Sequence, residues 1–131
     1  MSDPVTRLPQ PTVTFTVTTT CDSTVVAATG DLDSVVAERL LDHLSGEIAL
    51  RPRALVVDLT RVSFCCTRVL SALLSATADA HAAGIPCVIV SDQRAVRRPI
   101  TALDLDQVLQ VQDNLAAARE ELRILQGVAG R

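Results

Sequence analysis

The run "ALVVDL", Ala54 to Leu59, does most to limit the folds open to this chain. A strand with one wet face alternates apolar and polar residues. An apolar run of strand length, broken only by one aspartate near its end, reads instead as a strand covered on both faces, as in a parallel sheet under helices. "IPCVIVS", Ile85 to Ser91, repeats the pattern, with Pro86 tolerable only at the strand's start. Between the two runs lies helical text from about Thr67 to Ala83, stopped by Gly84. Strand, helix and strand in that order predict a parallel crossover unit.

The flanking text extends the pattern. Thr12 to Thr20 alternates and is rich in β-branched residues, so it predicts a strand; "CDST" is a turn, and Val25 to Gly30 returns as the second arm of a hairpin. In "DLDSVVAERLLDHLSGEI" the residues Val35, Val36, Leu40, Leu41 and Leu44 recur at helical spacing, with Asp33 or Ser34 as cap and Gly46 expected to close the helix. "DQRAVRRPITALDL" predicts a short helix interrupted near Pro99, and Gln107 to Val111 a short edge strand. A last helix, capped by Asp113, carries Leu115, Ala118, Leu122 and Leu125 along one side. The expected class is α/β: a mixed, mainly parallel sheet with an N-terminal hairpin and about four helices, ββαβαβαβα. A single domain over residues 12–126 would lie between a flexible tail at 1–11 and a short one at 127–131. The 131 residues suffice for one core and not for two.

Composition narrows the function classes. With 48% hydrophobic and 21% charged residues, the chain reads as folded. A net charge of -3 argues against direct binding of nucleic acid, which calls for a basic face. No stretch approaches the ~20 apolar residues of a membrane span, and the N-terminus lacks a secretion signal, so a cytoplasmic protein without membrane insertion is expected. Cys21, Cys65, Cys66 and Cys87 fit no zinc spacing, and a reducing cytosol disfavours disulfides, so small core residues are the expected role for three of them. There is no glycine-rich phosphate loop, and His43 and His81 sit alone on helices without a nucleophile at any known catalytic spacing. No enzyme activity, metal or cofactor is expected.

Three passages resemble one family. "ATGDLDSVVAERLLDHL" (28–44) is similar to the G-x-L-D opening of STAS domains, the fold of bacterial anti-sigma factor antagonists. "ALVVDLTRVSFCCTRVLSALLSA" (54–76) resembles their central strand, loop and helix, and "ALDLDQVLQV" (102–111) their ending. The resemblance spans about Val13 to Leu125. It implies a non-catalytic regulatory protein that docks on a GHKL-type anti-sigma kinase or on another STAS protein. Apart from the resemblance, the apolar mid-helix text "VLSALLSATADA" (69–80) could support a homodimer, although covering the sheet already accounts for it. A second function implied by the same family is an accessory subunit of a membrane lipid or anion transport ATPase complex.

The family's working corner opens the helix after the central strand with Asp, two hydroxyl residues, Gly and Leu, the second hydroxyl being phosphorylated by the partner kinase. Laid onto that pattern, Cys66 stands at the Asp, Thr67 at the first hydroxyl, Arg68 at the phosphoacceptor, Val69 at the Gly, and Leu70 matches. Arginine cannot accept a phosphoryl group, so the usual switch is expected to be absent. Arg68 is either a solvated charge left after loss of regulation or an anchor for an acidic or phosphorylated partner. Thr67 is expected to cap the helix rather than to replace the acceptor. Cys66, beside a helix start, is a candidate redox group, a strained vicinal disulfide with Cys65 is conceivable, and Cys65 should point inward. With Gly30, Asp31 and Asp33 from the opening loop, residues 66–70 form the expected partner surface; Asp33 is more readily a helix cap, and Asp58 could bond loop amides.

Overall fold

The computed structural model describes residues 13–129. Strand β1 (Thr14–Thr19) pairs antiparallel with β2 (Thr24–Leu32), which pairs parallel with β3 (Leu55–Cys65); β4 (Cys87–Val90) and β5 (Val111–Gln112) continue the parallel part. Spatial order follows chain order, β1-β2-β3-β4-β5. The helices α1 (Ser34–Ala49), α2 (Thr67–Ala82), α3 (Arg94–Ala102) and α4 (Leu115–Ala129) fall between and after the parallel strands. The expected α/β class and element order are both found. At the hairpin turn the Thr20 hydroxyl accepts from the amides of Asp22 and Ser23, a hydroxyl-built turn of the kind "TCDS" favours.

The apolar run Ala54–Leu59 is covered on both sides. Leu55, Val57 and Leu59 point into the main core with Leu40 and Leu44 of α1, Leu73 and Ala76 of α2, and Val96 and Ile100 of α3. Val56 points the other way, with Ala54, Val88 and Val90, onto Ala118 and Leu122 of α4. Each fully buried Val or Leu contributes about 1.5–3 kcal/mol of transfer free energy, so the strand's alternation is between two dry environments. Three helices guard one face and a single helix the other.

Several local expectations are corrected by packing. Gly46 does not close α1; the helix continues to Ala49 because Ile48 is buried in the core, and the reversal falls at Arg51, with φ +54°. An interior glycine costs about 1 kcal/mol relative to alanine, less than burial of the isoleucine returns. Pro99 does not interrupt α3, since Val96 and Ile100, one turn apart, are both anchored in the core. The expected strand over Gln107–Val111 is shorter and later, Val111–Gln112. Its first residue, Gln107, ends a 3-10 turn at Leu105–Gln107, after which Leu109 reaches the core. Asn114, not Asp113, caps α4, its Oδ1 accepting from the Ala117 amide at 2.8 Å, while Asp113 lies 3.4 Å from the Arg97 guanidinium. The expected N-terminal tail lies outside the described residues; of the expected C-terminal one, 127–129 continue α4 and the rest lies outside. No described helix is long and apolar enough to cross a membrane.

Candidate functional site

The helices α1, α2 and α3 begin where β2, β3 and β4 end, so three helix N-termini share the C-terminal end of the sheet. This is the end at which α/β sheets collect ligands and partners. Here β2 and β3 run further than the sequence text suggested. Past two register shifts, Asp31 stands opposite Phe64 and Leu32 opposite Cys65. Gly30 takes φ +114°, a conformation costly for any residue with a side chain, at the second of those shifts. The extension is fastened by the Ser63 hydroxyl donating to Asp31 Oδ1 at 2.7 Å and by the Cys66 amide donating to the Leu32 carbonyl at 3.1 Å.

Helix α2 starts one residue earlier than expected in its capping. Cys66, extended at φ -82° and ψ 169°, is the N-cap; Thr67 is the first helical residue and caps nothing. No side chain accepts a hydrogen bond from the first-turn amides, because sulfur is a weak acceptor where an Asp or Ser oxygen would serve. Cys66→Asp is therefore expected to stabilise the fold by about 0.5–2 kcal/mol, read as a rise of roughly 2–8 °C in thermal midpoint. An unchanged or lower midpoint would show that the amides are already satisfied by water. At α1 the family-like Asp does its job: Asp33 Oδ1 accepts from the amides of Val35 and Val36, both at 3.1 Å. Asp33 is a cap, as expected.

Of the eight predicted surface residues, the structure divides the set. Asp31, Asp33, Thr67 and Arg68 are exposed, and Gly30 and Cys66 are half-buried. Val69 and Leu70 are 0% and 2% exposed and belong to the core, so they hold α2 on the sheet and offer nothing to a partner. Two residues at this end were missed. Phe64, across the ladder from Asp31, is 49% exposed, and Val35, in the first turn of α1, is 77% exposed. A signal existed for each. "TRVSF" continues strand-like past Leu59, and Val35 lies off the Val36–Leu40–Leu44 stripe that fills the core. An open groove of about 320 Å³ runs between α1 and α2, with Ala37, Glu38 and Leu41 on one wall and Arg68, Ser71 and Ser75 on the other.

All four cysteines are free. Burial pushes the Cys65 thiol from the ordinary 9.0 up to about 12, with Cys66 adding to the shift, and burial takes Cys87 to about 11 against a smaller opposing effect of the Thr77 hydroxyl. Cys65 points inward and stays a thiol at neutral pH, which removes it as the nucleophilic half of a redox pair. Because both native values lie above the unfolded one, the native state holds more protons from pH 9 upward. Stability is full below about pH 9 and falls as pH rises through 11 to 12. Thermal melts at about pH 8 and about pH 10.5 should show the drop, and Cys87→Ala should reduce it, leaving the part that Cys65 carries.

The remaining polar candidates have local roles. Asp58 Oδ1 accepts from the Thr60 amide at 3.0 Å and from its hydroxyl at 2.7 Å, not from the corner. His43 packs its ring 4.7 Å from that of Phe15, with Arg39 over the same ring at 5.2 Å. Among the described residues no group of His, Cys, Asp and Glu could hold a metal ion.

The class is an α/β domain built on one mixed five-stranded sheet, and the C-terminal end of that sheet exposes one aromatic, one valine, one threonine and one arginine. The family follows from the sequence match: the STAS domain model covers residues 13–118, and the chain belongs to that family. Among solved structures it is similar to an anti-sigma factor antagonist from Mycobacterium paratuberculosis, at 27% identity and a TM-score of 0.77, over 86% of this chain and 95% of that one. It shares its fold with a single-residue variant of RsbS from Moorella thermoacetica (23% identity, TM-score 0.72, 85% and 96% covered). It also shares it with unphosphorylated SpoIIAA of Bacillus (17% identity, TM-score 0.70, 84% and 96% covered). No curated protein matches the sequence.

Proposed function

We propose that this chain is a cytoplasmic regulatory domain of the anti-sigma factor antagonist type, which acts by docking and not by catalysis. Its partner is a GHKL-type anti-sigma kinase or a second STAS protein, and the contact surface comprises Val35, Phe64, Thr67 and Arg68 with Asp31 at its margin. The observation that carries this reading is that two large apolar side chains, Phe64 and Val35, are exposed at the end of the sheet where the exposed first turn of α2 also lies. Aromatic and arginine anchors of this kind dominate docking energetics. Arg94, opening α3 at the same end of the sheet, adds positive charge and favours an acidic partner face.

With arginine at the position that resembles the family's acceptor, the domain stands outside the phosphorylation cycle and is a constitutively competent binder. Two measurements test the reading. Titration calorimetry against the GHKL kinase of the same organism should give a 1:1 complex that weakens when Phe64→Ala is used. Incubation of that pair with ATP should leave the protein without phosphate. Stoichiometric phosphate on Thr67 or any other residue would end the claim of constitutive competence, and absence of binding to kinase and STAS partners alike would end the docking reading.

A further inference from the structure

Of the two edges of the sheet, β5 offers two residues and β1 offers six. Strand order puts β1 outermost, and among the described residues no strand lies on its outer side. Soluble proteins usually protect such an edge with charges, proline or a bulge, since its unpaired amides and carbonyls template pairing with another strand. The sequence of β1, "TFTVTT", has none of these, and its ladder with β2 runs through all six residues without a register shift. It is instead rich in β-branched residues, which suit a pleated, paired surface.

The phase of the ladder decides what the edge can bind. The Thr20 amide donates to the Ser23 carbonyl at 2.9 Å. In an antiparallel pair, bonded and non-bonded positions alternate. From that anchor Thr18, Thr16 and Thr14 exchange bonds with β2, and Thr19, Val17 and Phe15 turn their amides and carbonyls outward. Now place a second copy antiparallel to the first about a two-fold axis through Val17. Val17 meets its own counterpart, and Phe15 meets Thr19 on either side. Every outward-facing position then meets another outward-facing one. Moving the axis half a residue sets outward positions against inward ones and loses the bonds.

The geometry points to β1 as a homodimer interface, in which two copies join edge to edge and their sheets form one continuous ten-stranded sheet. The occupant is a second copy because the edge is complementary to itself, as an isologous two-fold contact requires, and carries no charge that symmetry would set against its like. Side chains agree. Phe15 is already half-covered by Arg39 and His43 of α1, whereas Val17 is 39% exposed, and its counterpart across the axis would cover it. This surface is separate from the corner around Arg68, so the two readings stand or fall independently.

Light scattering over rising concentration should show a species of twice the 13.9 kDa chain mass. Val17→Lys, which faces two ammonium groups across the axis but leaves the pairing of β1 with β2 untouched, should be monomeric with an unchanged circular-dichroism melt. Hydrogen exchange of the wild type gives a second measure. The amides of Phe15, Val17 and Thr19 should exchange roughly tenfold or more slowly in the dimer than in the Val17→Lys monomer, with Thr16 and Thr18 alike in both. Arg68→Glu should leave the dimer intact. A wild type that is monomeric at every concentration up to millimolar overturns the proposal, as does a dimer whose Phe15, Val17 and Thr19 amides exchange freely or one that survives Val17→Lys.

Discussion

Val69→Gly is expected to lower the stability of the fold by about 2–4 kcal/mol. Val69 is completely buried in the first turn of α2, inside the cluster that also holds Leu40, Leu44 and Leu73. Removing its side chain forfeits the transfer free energy of a buried valine, about 1.5–3 kcal/mol, leaves a void beneath the helix start, and frees a backbone that glycine holds less firmly. Leu40→Ala, at another wholly buried position, gives the scale: about 2–5 kcal/mol. The midpoint of urea unfolding measures both. The glycine matters because the family pattern resembled here has one at this place. The core of this chain closes over the valine's methyl groups, so a return to the family residue should be costly. A loss below about 1 kcal/mol would show that neighbours collapse into the gap and that the valine is not needed to seat the helix.

Arg68→Glu is expected to weaken partner binding by about ten- to a thousandfold, equivalent to about 1.4–4 kcal/mol, while leaving the fold intact or slightly firmer. Arg68 is exposed, and among the described residues it enters no ion pair, so its charge is available to a partner. Its position in the first helical turn opposes the helix dipole, and an acidic residue there gains about 0.3–1 kcal/mol at low salt. Binding and stability should thus move in opposite directions, a signature that general damage to the structure cannot imitate. Calorimetric titration beside a thermal melt of the same sample reads both. Equal binding by wild type and variant would mark Arg68 as a solvated charge with no part in docking.

The legible parts of this protein were those written as periodicity. Two dry strands, a hairpin and helical stripes were enough to order the elements, because the burial of Leu55, Val57 and Val56 leaves a continuous apolar run in the text. Boundaries were less legible wherever a distant side chain overruled a local signal. Gly46 reads as a helix stop until Ile48 is seen in the core, and Pro99 as a break until Val96 and Ile100 are seen to hold both of its sides. The same blindness affected the corner. The text names Val69 and Leu70 beside Arg68, but only the helix geometry shows two of them turned inward and one outward. Phe64 passes unremarked, and Val35 is counted with the apolar stripe of α1 although it is 77% exposed, because a hydrophobic residue is assumed to be internal until its surroundings are known.

The second face of the sheet rests on α4 alone, and that has a consequence for the chain as it is being made. Ala54, Val56, Val88 and Val90 are all synthesised before the residues that shelter them, Ala118 and Leu122. Until α4 has emerged and docked, this apolar stripe stays wet even after the strands that carry it have formed, a sticky intermediate of the growing chain. Chains truncated before Leu115 and released from the ribosome should therefore bind chaperones, and the 131-residue chain should not.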